Sequence, residues 1–420
     1  MVPMKYSSMF GKTTRNVPKD EVTVNAELLT RAGFVEKLMA GVYTYLPLGL
    51  RVLDNISDIV REEMDAIGGQ ELLMPMLHPK ENWVATGAWE TLDVLFELES
   101  RTGREYALGQ SEEEVVTPLV MRRVQTFRDL PQQVYQVGWK FRDELRSKSG
   151  LMRGREFLMK DMYSFHEDQA DFDRFYSIAK AAYLNVYNRL GLLAKVTEAS
   201  GGAFTEKISY EFMILTDAGE DDILFCDSCE FCVNVEIAEV KEGATCPKCG
   251  QGLLAQARAS EVGNVFDLGQ KYGRDFDLGF TNRDGNKQYP IMGCYGLGIS
   301  RLMGVIVETF HDDRGIIWPA VVAPAQVHLV NLGRDDEAQH DAEALYATLQ
   351  QHGIEVLWDE RDTSAGVKLA DADLIELPYR VVISSRTRKE GKVEVKPRAG
   401  DPELMTVEAL IAAAGNSIPC

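Results

Sequence analysis

The stretch KFRDELRSKSGLMRGREFLMKD, Lys140 to Asp161, gathers seven basic residues against four acidic ones in a chain whose formal net charge is −20. A solvated basic hairpin is the plain reading of such a run. The spacing says more: FRDE, then a polar loop of Ser147, Lys148, Ser149 and Gly150, then Arg-x-x-x-Phe-x-x-x-Asp at Arg153, Phe157 and Asp161. Two strands joined by a basic loop hold guanidinium forks against phosphate oxygens while an aromatic ring stacks on a base. That is a nucleotide site without a P-loop.

Two more familiar signatures fail. GKTT at Gly11 to Thr14 resembles the end of a P-loop, but Tyr6 occupies the position of its first glycine and no strand precedes it. YGLGISR, Tyr295 to Arg301, leaves G-x-G-x-x-G incomplete because Arg301 takes the last position, which argues against a dinucleotide fold.

With 420 residues, 45% apolar and 26% charged, the chain has room for two or three domains, each with its own core. The opening MVPMKYSSMFGKTTRN lacks the apolar centre of a secretory signal, and no run approaches the roughly 20 apolar residues that span a bilayer; a cytoplasmic location without a membrane partner is expected. The acidic balance argues against nonspecific binding of polyanions, so any nucleic-acid contact has to be local. Val52, Leu53, Ile56, Ile59, Val60 and Met64 recur at spacings of three and four, which predicts a helix over Arg51 to Ala66 stopped by Gly68 and Gly69. ELLMPML, Glu71 to Leu77, reads as a short strand, and Phe172 to Leu190 as a second amphipathic helix. Helices and strands mix without a βαβ rhythm to about residue 320, the pattern of an α+β domain around an antiparallel sheet. Past Pro319 and Pro324 the rhythm changes. Strands QVHLVNL, IEVLW and YRVVIS alternate with helical stretches at Glu337 to Gln351 and Lys368 to Ile375, which predicts a separate α/β domain.

Of seven cysteines, five lie between Cys226 and Cys249. Cys226-x-x-Cys229 and Cys246-x-x-Cys249 suit a tetrahedral structural Zn²⁺ ribbon at about 224–252, with free thiols as the alternative. Cys232 is a spare, buried or an alternative ligand; Cys294 reads as a small packed residue and Cys420 as a terminal thiol.

FRDE with Arg153, Phe157 and Asp161 resembles motif 2 of the class II aminoacyl-tRNA synthetases, GLGISR at Gly296 to Arg301 resembles motif 3, and the helix running to Pro75 resembles motif 1. Longer strings, LMAGVYTYLPLGLRVL, GLMRGREFLMKDMYSFH, MGCYGLGISR and WDERDTSAGVKLADADLIELPYRVVI, resemble the bacterial prolyl-tRNA synthetases from Arg31 to about Arg398. The resemblance implies a class II catalytic domain over 1–322, built on an antiparallel sheet, and an α/β anticodon-binding domain over 323–420. It implies ATP and L-proline as substrates, with Mg²⁺. Arg142 then holds the α-phosphate, Glu144 helps to order the nucleotide and acceptor end, Phe157 stacks on adenine beside Arg153, and Arg301 binds the γ-phosphate, with Gly296 and Gly298 in the same ATP site.

LGQSEEE puts Ser111 and Glu113 at the positions of the family's proline-recognising Thr-x-Glu, where a carboxylate suits a secondary ammonium. Without the family, Glu112 to Glu114 would read as an exposed acidic turn. Asn264, a candidate proline contact, and Tyr210 stand where many relatives have histidine. In the last domain Arg386, Arg388 and Lys389, with Lys392, Lys396 and Arg398, are expected either to contact tRNA(Pro) or to form a solvated face.

The implied activity is synthesis of prolyl-adenylate and transfer of proline to tRNA(Pro) by a homodimer. The rival readings are a sibling synthetase, threonyl or glycyl, and a non-catalytic synthetase-like RNA-binding protein, which would have no reason to keep Arg142, Phe157 and Arg301 together. Many bacterial relatives carry an editing domain between motifs 2 and 3. Here only 21 residues, Val240 to Ser260, separate VNVEIAE from EVGNVF, so no editing domain in cis, and a separate trans-acting deacylase, are expected.

Overall fold

The computed structural model describes residues 4–16, 22–147, 149–398 and 400–415. Lys148 of the basic loop and Cys420 lie outside them. The chain forms two compact units: one comprises Met1–Met39, Tyr43–Ile56 and Ile306–Cys420, the other Ala40–Val42 and Ser57–Val305. Helix α1 (Pro47–Ala66) starts earlier than its apolar periodicity does, because Pro47 suits a first helical position, where an N–H would go unpaired anyway. The predicted face, Val52, Leu53, Ile56, Ile59, Val60 and Met64, is buried throughout, and Leu48 and Ser57 are buried with it. The expected strand ELLMPML is corrected: only its first and last residues join ladders, Glu71 through Gln70–Glu71 and Leu77 through a three-residue strand at Leu77–Pro79, and the chain between them is irregular. Pro75 has no N–H to offer a ladder. The segment is held instead by Leu72 N–H on Tyr135 O at 2.8 Å and Met74 N–H on the Gln136 side chain at 2.8 Å.

In the second of these units nine strands make one sheet: β1 (Gln70–Glu71), β2 (Gln132–Phe141), β3 (Glu156–His166), β4 (Ala194–Ser200), β5 (Ile208–Leu215), β6 (Asp221–Cys226), β7 (Cys232–Asn234), β8 (Leu254–Gly269) and β9 (Ile291–Gly298). Their spatial order is β5-β4-β7-β6-β8-β9-β3-β2-β1, and β5 also pairs with β8. The ladders between β2, β3, β9 and β8 are all antiparallel. Because side chains alternate along each strand, directly paired residues share a face. Helix α2 (Glu113–Met121) lies over one face: Val116, Val120 and Met121 pack with Val134, Tyr163, Phe165, Met292 and Cys294. Helix α3 (Gln169–Arg189), capped by the Asp168 side chain, covers the other; Phe175 and Tyr176 meet Tyr295 at ring distances of 5.7 and 5.9 Å, and Tyr183 meets Phe212 at 5.0 Å. β9 runs directly into helix α4 (Ile299–Thr309).

The other unit holds the expected alternation. Strands β10 (Val327–Asn331), β11 (Val356–Asp359) and β12 (Tyr379–Ile383) are separated by helices α5 (Asp336–Gln351) and α6 (Ala365–Ile375), and are followed by β13 (Val393–Pro397) and β14 (Glu403–Met405). The six-stranded sheet runs Met4–Lys5, β11, β10, β12, β13, β14, its first four strands parallel and the last two antiparallel. Val327, Leu329, Leu349, Trp358, Val381 and Leu410 are fully or almost fully buried in its core. No helix of the described residues is long and apolar enough to cross a membrane.

Candidate active site

One register row explains the site. Glu211, Asn264, Gly296, Asp161 and Gln136 stand side by side across β5, β8, β9, β3 and β2. Gly296 at the centre has no side chain, and a Cβ there would meet only Met159 Sδ, at 3.8 Å. The adjacent row on the same face is Phe266, Cys294 and Tyr163. On the other side of Asp161 follow Met159 and Phe157, the latter paired with Lys140. A cavity of about 300 Å³ opens on this face, lined among others by Ser111, Arg142, Glu144, Arg153, Phe157, Asn264, Gly296, Gly298 and Arg301. The structure thus brings together every residue expected at the ATP site and two of the three expected at the proline site.

Two of the cavity's arginines, Arg142 and Arg301, are held mainly through carbonyl oxygens. Arg142 closes the β2–β3 hairpin by its N–H to Arg155 O at 2.8 Å, points its guanidinium at Gln110 O at 3.5 Å, and lies 5.3 Å from the Phe157 ring centre. Burial and then the neighbouring Arg301 push its pKa below the usual value. Arg301, in the first turn of α4, donates to Met152 O at 2.8 Å and to Glu261 O, with the Glu261 carboxylate 3.5 Å away. Arg153 differs: it is bound to Glu144 at 2.8 and 3.0 Å and to Glu220. Its work is to fix Glu144, whose carbonyl is also held by Arg155 at 2.8 and 3.0 Å.

The glutamates read as an exposed acidic turn are the reverse: Glu112, Glu113 and Glu114 are at most 2% exposed. Glu113 is not on the cavity wall itself but accepts the Ser111 hydroxyl and lies beside the Cys294 thiol. Burial raises its carboxyl pKa, and raises that of Cys294 well above the thiol range. Cys294 is packed, as expected, and also forms part of the cavity wall. Asn264 gives its amide N–H to Glu211 at 3.5 Å, while its Oδ1 is buried without a partner. Tyr210 is paired with Val265 and so points to the face covered by α3; its ring lies under Lys180 Nζ at 4.1 Å. Its departure from histidine therefore falls outside the pocket.

Sequence reading missed Glu211 and Glu261, both of which line the cavity. Burial, then the Glu261 charge, pushes Glu211 up to about 8, and the same two causes push Asp221 up to about 6. Glu211 alternates with Tyr210 along β5, and only the register shows which of the two faces the site.

The four paired cysteines converge as expected. Their sulfurs all lie within 4.8 Å of one another, with Cys226–Cys249 at 3.8 Å and Cys229–Cys246 at 3.6 Å. Four thiolates about 2.3 Å from a central zinc stand about 3.8 Å apart, whereas a disulfide needs about 2.05 Å. Backbone N–H groups of Gly252 and Gln251 lower the Cys249 thiol to about 6. Cys232 stays outside the cluster, buried beside Thr197 Oγ1 at 3.1 Å. In the other unit, Arg388 is engaged by Asp335, Glu337 and Asp341 at 2.7 to 2.9 Å and Arg386 by Glu394; Lys389 is on the same short helix, Ser385–Lys389.

An antiparallel sheet bearing one cavity-lining arginine on its central hairpin, and a second where β9 enters α4, is the architecture of a class II aminoacyl-tRNA synthetase. Residues 96–310 match the tRNA synthetase class II core domain (G, H, P, S and T), and residues 321–414 the anticodon binding domain. A proline–tRNA ligase of Anaplasma marginale is 40% identical over 424 residues, covering 97% of this chain and 99% of that protein. One from Halothermothrix orenii is 32% identical over 558 aligned residues, covering 97% of this chain and 98% of that protein. The prolyl-tRNA synthetase of Cryptosporidium parvum, solved with L-proline and AMP, shares the fold at a TM-score of 0.76 and 18% identity, over 93% of this chain and 74% of that one. The chain belongs to the proline–tRNA ligase family of ATP-dependent, AMP-forming enzymes, as the sequence motifs led us to expect.

Proposed function

We propose that this cavity joins L-proline to ATP and that the enzyme then passes the prolyl group to tRNA(Pro). The observation that carries the reading is the convergence of Arg142, Phe157 and Arg301 with Ser111, which is tied to the buried Glu113, around one pocket. The proline carboxylate attacks the α-phosphorus and pyrophosphate leaves, so no protein nucleophile is required. Two anions must approach, and fixed guanidinium groups at Arg142 and Arg301 stabilise the charge that builds on the phosphoryl oxygens. Phe157 gives adenine a stacking face beside Arg153, Gly296 and Gly298 keep the floor open, and Glu144 stays oriented by Arg153. Glu113, with Ser111, answers the secondary ammonium, and the free Oδ1 of Asn264 offers the pocket one more acceptor.

Glu211 and Glu261 would hold Mg²⁺, since the Glu211 proton retained by burial and by its neighbour's charge marks a place short of positive charge. Bound there, the ion would screen the phosphates. The thiol spacing fits Zn²⁺ as a structural ion at Cys226, Cys229, Cys246 and Cys249. We assign catalysis to 1–322 and anticodon binding to 323–420, where Arg386 and Lys389 are the more available cations and Arg388 is engaged by three carboxylates. A cytoplasmic homodimer without editing in cis, relying on a separate deacylase, completes the reading. Proline-dependent exchange of pyrophosphate into ATP, run across the twenty amino acids, tests it; exchange driven best by threonine or glycine, or none at all, would overturn it.

A further inference from the structure

A circuit of buried charge joins the end of β2, just before Arg142, to the loop that bears Ser111 and Glu113, and the mechanism above uses none of it. Lys140 is wholly buried, with Nζ 2.9 Å from Asp161 Oδ1 and 3.4 Å from Glu112 Oε1. The other Glu112 oxygen is 2.9 Å from His78 Nε2, a nitrogen that also lies 2.9 Å from Pro75 O. Tyr163 donates its hydroxyl to Asp161 at 3.0 Å and accepts the backbone N–H of Glu112 at 2.9 Å, which closes a ring through Lys140, Asp161, Tyr163 and Glu112. Gln136 adds a bond to Asp161 at 3.3 Å.

Three successive residues, the last two of β2 and the one after it, grip the same loop: Lys140 at Glu112, Phe141 N–H at Gly109 O (3.0 Å), and Arg142 at Gln110 O (3.5 Å). Gly109 leaves no slack, for a Cβ there would meet Glu112 Oε1 and His78 Cε1, each at 2.8 Å. Buried ion pairs add little net stability over apolar packing of the same volume, so what such a ring contributes is a fixed geometry.

We propose that Lys140 is a positioning residue for the amino-acid substrate: by clamping Glu112 and Asp161 it holds the Gly109–Glu113 loop so that Ser111 and Glu113 meet the secondary ammonium in the correct place. The inference rests on the reading of Ser111 and Glu113 as the proline contacts. Lys140 touches no substrate. Its loss acts on proline more than on ATP, because Arg301 is held separately by Met152 O and Glu261 O, and Arg142 keeps its backbone bond to Arg155 O, which lies outside the loop.

The test is Lys140→Met in the full chain, with pyrophosphate exchange measured against proline at saturating ATP and against ATP at saturating proline, alongside thermal unfolding. The KM for proline should rise by at least about tenfold while that for ATP moves by less than about twofold. General loss of structure would lower kcat through the fraction of active enzyme and would not split the two KM values. A cooperatively folded variant with unchanged proline KM, or with both KM values raised alike, would overturn the inference. If Lys140→Met does not fold, Tyr163→Phe removes only the bridging hydroxyl; the same split should follow, and its absence counts equally against the idea. Glu113→Gln separates the two levels. An unchanged proline KM in that variant brings down the recognition reading and this inference with it, whereas a raised one beside an unaffected Lys140→Met brings down this inference alone.

Discussion

At the residue scale, what distinguishes Arg142 and Arg301 from the other arginines is what they are bonded to. Arg153 and Arg388 are matched by two and three carboxylates respectively, whereas Arg142 and Arg301 make their hydrogen bonds to carbonyl oxygens, with the Glu261 carboxylate 3.5 Å from Arg301, and on the function proposed above keep positive charge available for phosphate. Alanine at either position should lower proline-dependent pyrophosphate exchange by about 10²–10³, the usual loss for one transition-state donor, with thermal unfolding nearly unchanged. Wild-type exchange in either variant would sink the assignment. Glu114 makes a different prediction. Burial, and then the charge of Glu113, push it up to about 8, while Thr86 donates to it at 3.0 Å. Its folded pKa is above the ordinary 4.5, so its contribution to stability is complete below that value and is lost as pH rises through about 8. Glu114→Gln, which keeps an acceptor for Thr86 and cannot ionise, should match the wild type in urea unfolding near pH 5 and exceed it near pH 9. Parallel pH profiles would show that Glu114 titrates normally. Arg142, Phe157 and Arg301 were legible in the sequence because their motifs fix their spacing. Lys140, Glu112 and Asp161 belong to the same strings, but the contacts that give them meaning join residues far apart in the chain, which no local pattern reveals.

At the scale of elements, α1, α3, α5 and α6 were legible to within a few residues, since a face with apolar spacing of three and four has one interpretation, whereas α2, whose first turn is acidic, read as an exposed turn. α3 begins at Gln169 and not Phe172, because the Asp168 side chain caps it ahead of its first apolar residue; Ser364 does the same for α6. The strands of the catalytic sheet were harder. Their site-facing residues, Asp161, Asn264, Glu211, Gly296 and Gly298, are polar or small, so alternation marks a functional face where it would ordinarily mark solvent. The cysteine knuckles needed no register at all: spacing alone brought four thiols to tetrahedral distances. So small a module has little apolar core, and metal would organise it. Protein purified without chelator should therefore carry about one zinc per chain, and cobalt in its place should give the absorption of tetrahedral thiolate ligation, lost in Cys226→Ser. Metal-free protein that unfolds at the same temperature before and after zinc is added would show that the thiols are not a metal site.

At the scale of the molecule, this chain and its longer relatives differ inside the sequence. The Halothermothrix alignment spans 558 residues while using 97% of this chain's 420, so well over a hundred aligned positions have no counterpart here; the Anaplasma relative aligns over 424. Between VNVEIAE and EVGNVF this chain has only Val240 to Ser260, and those residues are occupied by Cys246 and Cys249 and by the start of β8. Too few remain to fold a second hydrolytic domain. Yet a pocket that admits proline admits alanine, which is smaller, and each missing methylene is worth only about 1–3 kcal/mol of discrimination. Lys140 and its partners sharpen where the ammonium sits, but alanine also presents an ammonium, so rigid placement of Glu113 does not exclude it. Alanyl-tRNA(Pro) should therefore form at a low rate and persist with the purified enzyme, disappearing only when a trans-acting deacylase is added. The measurement is release of alanine from preformed alanyl-tRNA(Pro): a rate equal to spontaneous hydrolysis is expected, and clearance well above it would place a hydrolytic site on this chain and overturn the claim that proofreading is supplied from outside.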